Sequence, residues 1–214
     1  MSELQLSTTA AGVLYTLDRM TTSDVELMLG VKAGDDACFE ALLARYRTPL
    51  VVFLYRMVRD RAAAEDLAQE AFLRVFRARA SYAPDAKFTT WLFRIAANLA
   101  LNWLRDGRHR ARELSLDRAE EDERPPLDLA DTGATIEQRM LERERALRIR
   151  EAVAALPEKQ RAAVLLHKYQ DLDYGEIARI LGCSQSALKS LLFRAYETLR
   201  ARLSAEVAAP GKGR

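Results

Sequence analysis

Between residues 113 and 131 the chain carries eight acids against two arginines, the pair Pro125-Pro126 and no sustained apolar period. Such a stretch cannot bury enough apolar surface to order itself, and paired prolines stop helix and sheet alike. On either side of it the apolar residues recur at three- and four-residue spacing, the period of an amphipathic helix. The sequence is therefore constrained to two helical modules joined by a linker. Composition agrees: of 214 residues only 9 are glycine and 6 proline, and the good helix formers Ala, Leu, Arg and Glu dominate. The expectation is an all-α protein of two small helical domains that move independently. A flexible leader covers 1–22, the first module 23–108, a flexible acidic linker 109–134, the second module 135–204 and a tail 205–214.

Capping residues and breakers divide the modules further. Ser23 is a good N-cap for a short first helix, which Gly34 ends. A second helix over 35–58 is expected to bend at Pro49, where one backbone donor is missing. A third covers 60–79, a loop follows over 81–85, and a fourth covers 88–105 and stops near Gly107. In the second module a helix over 135–155 breaks at Leu156-Pro157, and three more follow over 158–169, 174–181 and 184–203. The leader shows no motif, and Met20 offers an alternative start.

The net charge of +2 hides an uneven distribution. Residues 86–112 hold six basic side chains against one acid, and residues from Ser184 onward hold six against two. Two basic zones flanking an acidic one suggest two polyanion-binding surfaces. Cys38 and Cys183 lie outside any ligand cluster, which fits a reducing cytoplasmic setting with both as small apolar residues. His109 and His167 stand alone. No nucleophile–base pair, phosphate loop or metal-ligand cluster is visible, so neither an enzyme nor a metal or other cofactor is expected. The apolar run over 10–17 is too short to span a bilayer and lacks the basic lead-in of a signal peptide.

Residues 174–193 have the spacing of a helix-turn-helix. Ala178 is small where two helices cross, and Gly182 can take the positive φ that a tight turn needs. Ile177, Leu181, Leu188 and Leu191 provide a shared core, and Ser184 caps the second helix. On that helix Ala187, Leu188, Leu191, Ala195 and Leu199 fall on the inner side. Gln185, Ser186, Lys189, Ser190, Phe193, Arg194 and Arg200 fall on the other. The start of such a helix enters the major groove, where Gln185 and Lys189 can reach base edges while Ser186, Ser190 and Arg194 suit phosphates.

In the first module the third helix places Leu67, Ala68, Ala71, Phe72, Val75 and Phe76 on one face. Leu73 falls on the opposite face, among Asp66, Gln69, Glu70, Arg74 and Arg77. That pattern fits a protein-docking patch or a solvated helix with one stray leucine. The fourth helix has a core stripe of Phe88, Leu92, Ile95, Leu99 and Trp103. Beside it run Trp91, Arg94, Asn98, Asn102 and Arg105. An aromatic next to Arg and Asn suits single-stranded DNA, with bases stacked on the ring. Spacing alone equally allows Trp91 as a core residue at the edge of the stripe.

Three strings, in this order and spacing, resemble the sigma-70 family of transcription initiation factors, most closely its extracytoplasmic-function (ECF) group. They are Ala64-Glu65-Asp66-Leu67-Ala68-Gln69-Glu70-Ala71-Phe72-Leu73-Arg74-Val75, Phe88-Thr89-Thr90-Trp91-Leu92-Phe93-Arg94-Ile95-Ala96-Ala97-Asn98, and Leu156-Pro157 followed by Tyr174-Gly175-Glu176-Ile177-Ala178. The resemblance implies that Asp66, Gln69, Glu70 and Leu73 dock on the β′ coiled coil of RNA polymerase core, with β as a further contact. It implies that Tyr82, Lys87, Phe88, Trp91, Arg94 and Asn98 open and read the −10 promoter element. Ser184, Gln185, Ser186, Lys189, Ser190 and Arg194 would read the −35 element. It further implies promoter DNA as ligand, a monomer on polymerase, and an anti-sigma factor, often membrane-bound, as regulator. Asn102 stands where the family often has Asp, Ala187 where Val is common, and Leu192-Phe193 replaces a frequent Leu-His pair, which bears on promoter preference. A dimeric helix-turn-helix regulator is the alternative, and it leaves the third-helix face and the Trp91 stripe without a role.

Overall fold

The computed structural model describes residues 22–113, 136–169 and 172–208, all helix, turn or short connection. The leader, most of the linker and the end of the tail lie outside the described residues. The first module comprises α1 (Asp24–Lys32), α2 (Asp36–Val58), α3 (Arg61–Arg77), a 3₁₀ turn (Arg79–Ser81) and α4 (Phe88–Glu113). The second comprises α5 (Ile136–Ala154), α6 (Glu158–Tyr169), α7 (Tyr174–Leu181) and α8 (Gln185–Ala208).

Local chemistry sets the helix ends. Ser23 and Glu26 form a reciprocal capping box at α1, with the Ser23 amide donating to Glu26 Oε2 at 2.9 Å and the Glu26 amide donating to Ser23 Oγ at 3.3 Å. Gly34, at φ +94°, ends α1: its amide donates to the Val31 carbonyl and that of Asp35 to the Gly30 carbonyl. Asp35 and Asp60 cap α2 and α3 through their carboxylates. Pro49 lies inside α2 and does not end it. Gly107 likewise does not end α4, which runs on to Glu113 into the stretch expected to be linker. Glycine costs about 1 kcal/mol relative to alanine inside a helix, which the helix-forming sequence around it can carry, and Gly107 does not take the left-handed conformation that stops one. At the other end, α8 continues past the expected boundary to Ala208.

In the first module α2 is the centre, packed on α1, α3 and α4. Its Leu42, Leu50, Leu54 and Met57 are fully buried, and each contributes roughly 1.5–3 kcal/mol by burial. Phe39 meets Phe72 and Phe76 of α3, and Phe53 meets Phe93 of α4 edge-on at 5.3 Å. In the second module Leu166, Ile177, Ile180 and Leu188 are fully buried among α6, α7 and α8.

The two modules, expected to move independently, are in contact in this structure. α7 packs directly on α4, α6 packs on α2, and the buried residues of both halves form one contiguous cluster. The reason lies in α4, which is buried on two sides. Its Phe88, Leu92 and Leu99 serve the first module's core, while Thr90, on another side, is covered by α7.

Candidate functional site: a docking face and two DNA-reading faces

On α3 the separation of faces follows the helical period. Ala64, Ala68, Ala71, Phe72 and Val75 are buried, whereas Asp66, Gln69 and Leu73 are exposed and Glu70 is half-exposed. Leu73 keeps 47% of its surface in solvent, so its side chain does not serve the core. Arg74 donates to Glu70 at 2.7 Å one turn away, and this bond holds the Glu70 carboxyl below the usual carboxylate range. The four residues form a continuous patch of acid, amide and leucine.

The six residues expected to read the −10 element separate into two groups. Arg94 and Asn98 are exposed on α4, Trp91 is half-buried beside them, and Lys87 is exposed at the N-terminal end. Tyr82 and Phe88 are instead buried, at 5% and 1% exposure. Neither side chain faces solvent, and for Phe88 this agrees with its place in the core stripe. They support Trp91: the Tyr82 ring lies 5.5 Å from it and the Phe88 ring 6.2 Å, edge to face. Phe88 in turn packs on Tyr46 at 5.4 Å, and Tyr46 donates to Asp24, which also receives Arg45. Burial, reinforced by Asp24, pushes the Tyr46 hydroxyl well above its ordinary range. Lys32 donates to the Tyr82 carbonyl at 2.9 Å and ties the connecting loop to α1. The Tyr82 hydroxyl is buried without a hydrogen-bond partner among the described residues. Trp91 is thus neither a free platform nor a core residue, but an edge residue propped from beneath.

In the second module the helix-turn-helix geometry is as expected. Gly182 has φ +60° and ψ +43°, and the Cys183 amide donates to the Ala178 carbonyl at 3.0 Å. Ser184 Oγ accepts from the Ala187 amide at 3.2 Å and caps α8. Gln185, Ser186, Lys189, Ser190 and Arg194 are all exposed. Ser190 Oγ donates back to the Ser186 carbonyl at 3.1 Å, and the Ser184 and Ser186 hydroxyls are 3.0 Å apart. Phe193 is 68% exposed in the middle of this polar face. Ala187 is exposed rather than inward, and Leu192 takes a buried place in the inner row. His167 is not isolated: its Nδ1 lies 2.8 Å from the Tyr196 hydroxyl and its ring packs on Tyr174.

The contact between modules involves residues that sequence reasoning did not single out. Glu176 is 2% exposed, and Thr90 is 4% exposed. Thr90 Oγ1 donates to Glu176 Oε1 at 3.3 Å, and Lys87 Nζ lies 3.2 Å from the same oxygen. Glu176 also closes a capping box with Asp173, whose amide donates to Oε2 at 2.9 Å. Arg161 on α6 donates to the Met57 carbonyl at the end of α2, and to the carbonyls of Ala154 and Leu156. In the sequence Glu176 figured only within the Tyr174–Ala178 string, with nothing to mark a partner on α4.

A helix-turn-helix with a basic outer face and a second helical module with an aromatic–basic stripe define a class of helical nucleic-acid-binding proteins. Residues 42–110 match the family described as Sigma-70 region 2, and residues 146–199 match Sigma-70, region 4. The RNA polymerase sigma-H factor of Pseudomonas aeruginosa is 32% identical over 180 residues, 82% of this chain and 91% of that protein. The ECF RNA polymerase sigma-E factor of Escherichia coli K12 is 32% identical over 177 residues, 83% of this chain and 92% of that protein. A solved structure of the sigma factor RpoE in complex with the anti-sigma factor NepR, from Bartonella quintana, superposes with a TM-score of 0.61 at 22% identity, over 78% of this chain and 96% of that one. This last likeness bears on the fold. The chain belongs to the sigma-70 family of RNA polymerase sigma factors, in its ECF group. Members of that family are non-enzymatic transcription initiation factors.

Proposed function

We propose that this chain docks on RNA polymerase core through α3 and delivers it to promoters by reading two DNA elements with two separate modules. The observation that carries the reading is the separation of surfaces on the first module. Asp66, Gln69, Glu70 and Leu73 present a docking patch on α3, while Trp91, Arg94 and Asn98 present a stacking and strand-holding stripe on α4. One helix is therefore free to hold polymerase while the other holds DNA.

In the −10 region, opening exposes bases that must be kept out of the duplex. Trp91 offers a face to stack on, Arg94 and Asn98 hold the strand, and Lys87 pairs with phosphate. Tyr82 and Phe88 keep the indole in position. In the −35 region, Gln185 and Lys189 meet base edges, and Ser184, Ser186, Ser190 and Arg194 meet the backbone. Binding and positioning are the whole of the activity, with no covalent step. No helix of the described residues is long and apolar enough to cross a membrane, and the chain acts in the cytoplasm beside polymerase. An anti-sigma protein, as RpoE has in NepR, is the regulator this reading expects, and the chain is a monomer on polymerase. The test is run-off transcription from genomic fragments with purified core. The chain should co-elute with core and initiate at discrete promoters. Binding of DNA without co-elution would point instead to a self-standing regulator.

A further inference from the structure

The backbone of α7 has no need of the glycine at position 175. Gly175 is the second residue of the helix, between the Asp173 cap and Glu176, and its φ is not positive, unlike those of Gly34 and Gly182. Glycine is a poorer helix former than any residue but proline, so alanine would serve the helix better. The reason for glycine lies in the space above it. A Cβ on Gly175 would lie 3.0 Å from Gln185 Nε2 and 3.1 Å from Asp173 Oδ1, both closer than ordinary van der Waals contact.

These two neighbours differ in their freedom to move. Asp173 Oδ1 accepts from the Glu176 amide at 2.8 Å and is fixed as the cap of α7. Gln185 begins α8, where the Ser184 cap fixes its backbone. Its side chain is exposed, and among the described residues its amide has no hydrogen-bond partner. The amide rests against the bare first turn of α7, with its N–H groups and its carbonyl oxygen uncommitted. Base reading needs that state. A glutamine recognises adenine with both ends of its amide, accepting from N6 and donating to N7. An amide tied to protein would have lost one end. An amide without a floor would have to be ordered on binding, which lowers affinity.

We propose that Gly175 is a positioning residue for −35 recognition, which seats the Gln185 amide for its base by leaving the first turn of α7 bare. The inference rests on the assignment of Gln185 to base reading. Gly175 acts through Gln185 and does not itself touch the base. A methyl group at position 175 would displace the amide, because the Asp173 carboxylate is held and the glutamine is not. Gly175→Ala should therefore keep or raise stability while lowering specificity.

The test uses the full chain with core, in run-off transcription from templates that vary each −35 position in turn. Wild type is compared with Gly175→Ala, Gln185→Ala and the double variant. A ratio between templates cancels any effect on docking or melting, which acts on all −35 sequences alike. Gln185→Ala should relax the preference at one position by roughly fivefold or more. Gly175→Ala should relax it at that same position, with discrimination elsewhere kept and the denaturation midpoint equal or higher. In the double variant Gly175→Ala should add nothing further, as expected of two residues that act through one contact. Full preference in Gly175→Ala beside a loss in Gln185→Ala would overturn the proposal. So would additive losses, or a lowered midpoint with equal loss at every position, which would make Gly175 a packing residue. An unaltered preference in Gln185→Ala would instead remove the base-reading assignment, and this proposal with it.

Discussion

Trp91 of the first module rests on Tyr82 and Phe88, both buried, and through Phe88 on Tyr46 and the Asp24 carboxylate. Lys189 and Arg194 of the second stand in solvent on α8, which is set by Ser184, Gly182 and the Asp173–Glu176 box. The proposed −10 face thus depends on long-range packing, and the proposed −35 face on a helix positioned by local caps. A change beneath the first face should reach both its stability and its function. A change on the second should alter DNA preference and leave the fold alone.

The sharpest contrast is Phe88→Ala. A fully buried phenylalanine cut to alanine costs about 3–5 kcal/mol. Denaturant unfolding should show that loss, and the variant should also open promoters poorly because the indole loses its floor. If its stability is lost while its opening, once folded, is normal, the support role fails. On the exposed α3 face the expected effects are on binding alone. Asp66→Ala, Glu70→Arg and Leu73→Ala should each weaken core affinity by about 2 kcal/mol, as truncated interface anchors do, with helicity unchanged. Equal affinity for core across all three would move docking elsewhere.

Trp91→Ala lies between these cases. The residue is half-buried, so the module should remain folded. The lost stacking, roughly 1–3 kcal/mol per base, should appear as weak permanganate reactivity at the −10 region with closed-complex formation retained. Full reactivity in a folded variant would make Trp91 a packing residue only. On α8, Gln185→Ala and Lys189→Ala should each cost about 1–3 kcal/mol at one base position and relax preference there. Arg194→Ala should weaken all −35 sequences alike and lower the salt dependence. A selected-site experiment that returns an unaltered −35 preference for Gln185→Ala and Lys189→Ala would contradict the base-reading assignment.

The same contrast explains what could be read in advance. Gly182, Ser184 and the Ser23 cap act within a few residues of themselves, so their spacing carries their geometry. The α3 faces were legible because one helix with one buried side obeys a single period. Phe88 was legible as a core residue from its period, and its burial agrees; Tyr82 lies in a connecting loop, where no period separates a buried aromatic from an exposed one. Their burial comes from Tyr46 and Lys32, distant in sequence. Thr90 and Glu176 are 86 residues apart, and no local spacing links them. The α4–α7 contact left no local trace, so two modules that pack together looked independent.

The smallest expected effect concerns pH and separates the modules by composition. The chain has two histidines, and none lies between residues 24 and 107. In the second module, burial depresses the His167 pKa below its ordinary value, with Lys168 adding to the effect. Its neutral ring sits against the Tyr196 hydroxyl and the Tyr174 ring. A histidine with a lowered folded-state pKa binds more protons when unfolded, so stability rises with pH across the interval between the two values. The contribution is complete above the unfolded pKa of about 6.5 and is lost as pH falls through it toward the folded value. Amide exchange in α6 and α8 should therefore be faster at about pH 5.5 than at about pH 7.5, after correction for intrinsic rates, while α2 and α3 change less. His167→Gln should flatten the difference. A ring-proton titration of His167 at its ordinary midpoint would remove the effect, and one above it would reverse the sign, so that acidification would stabilise the second module.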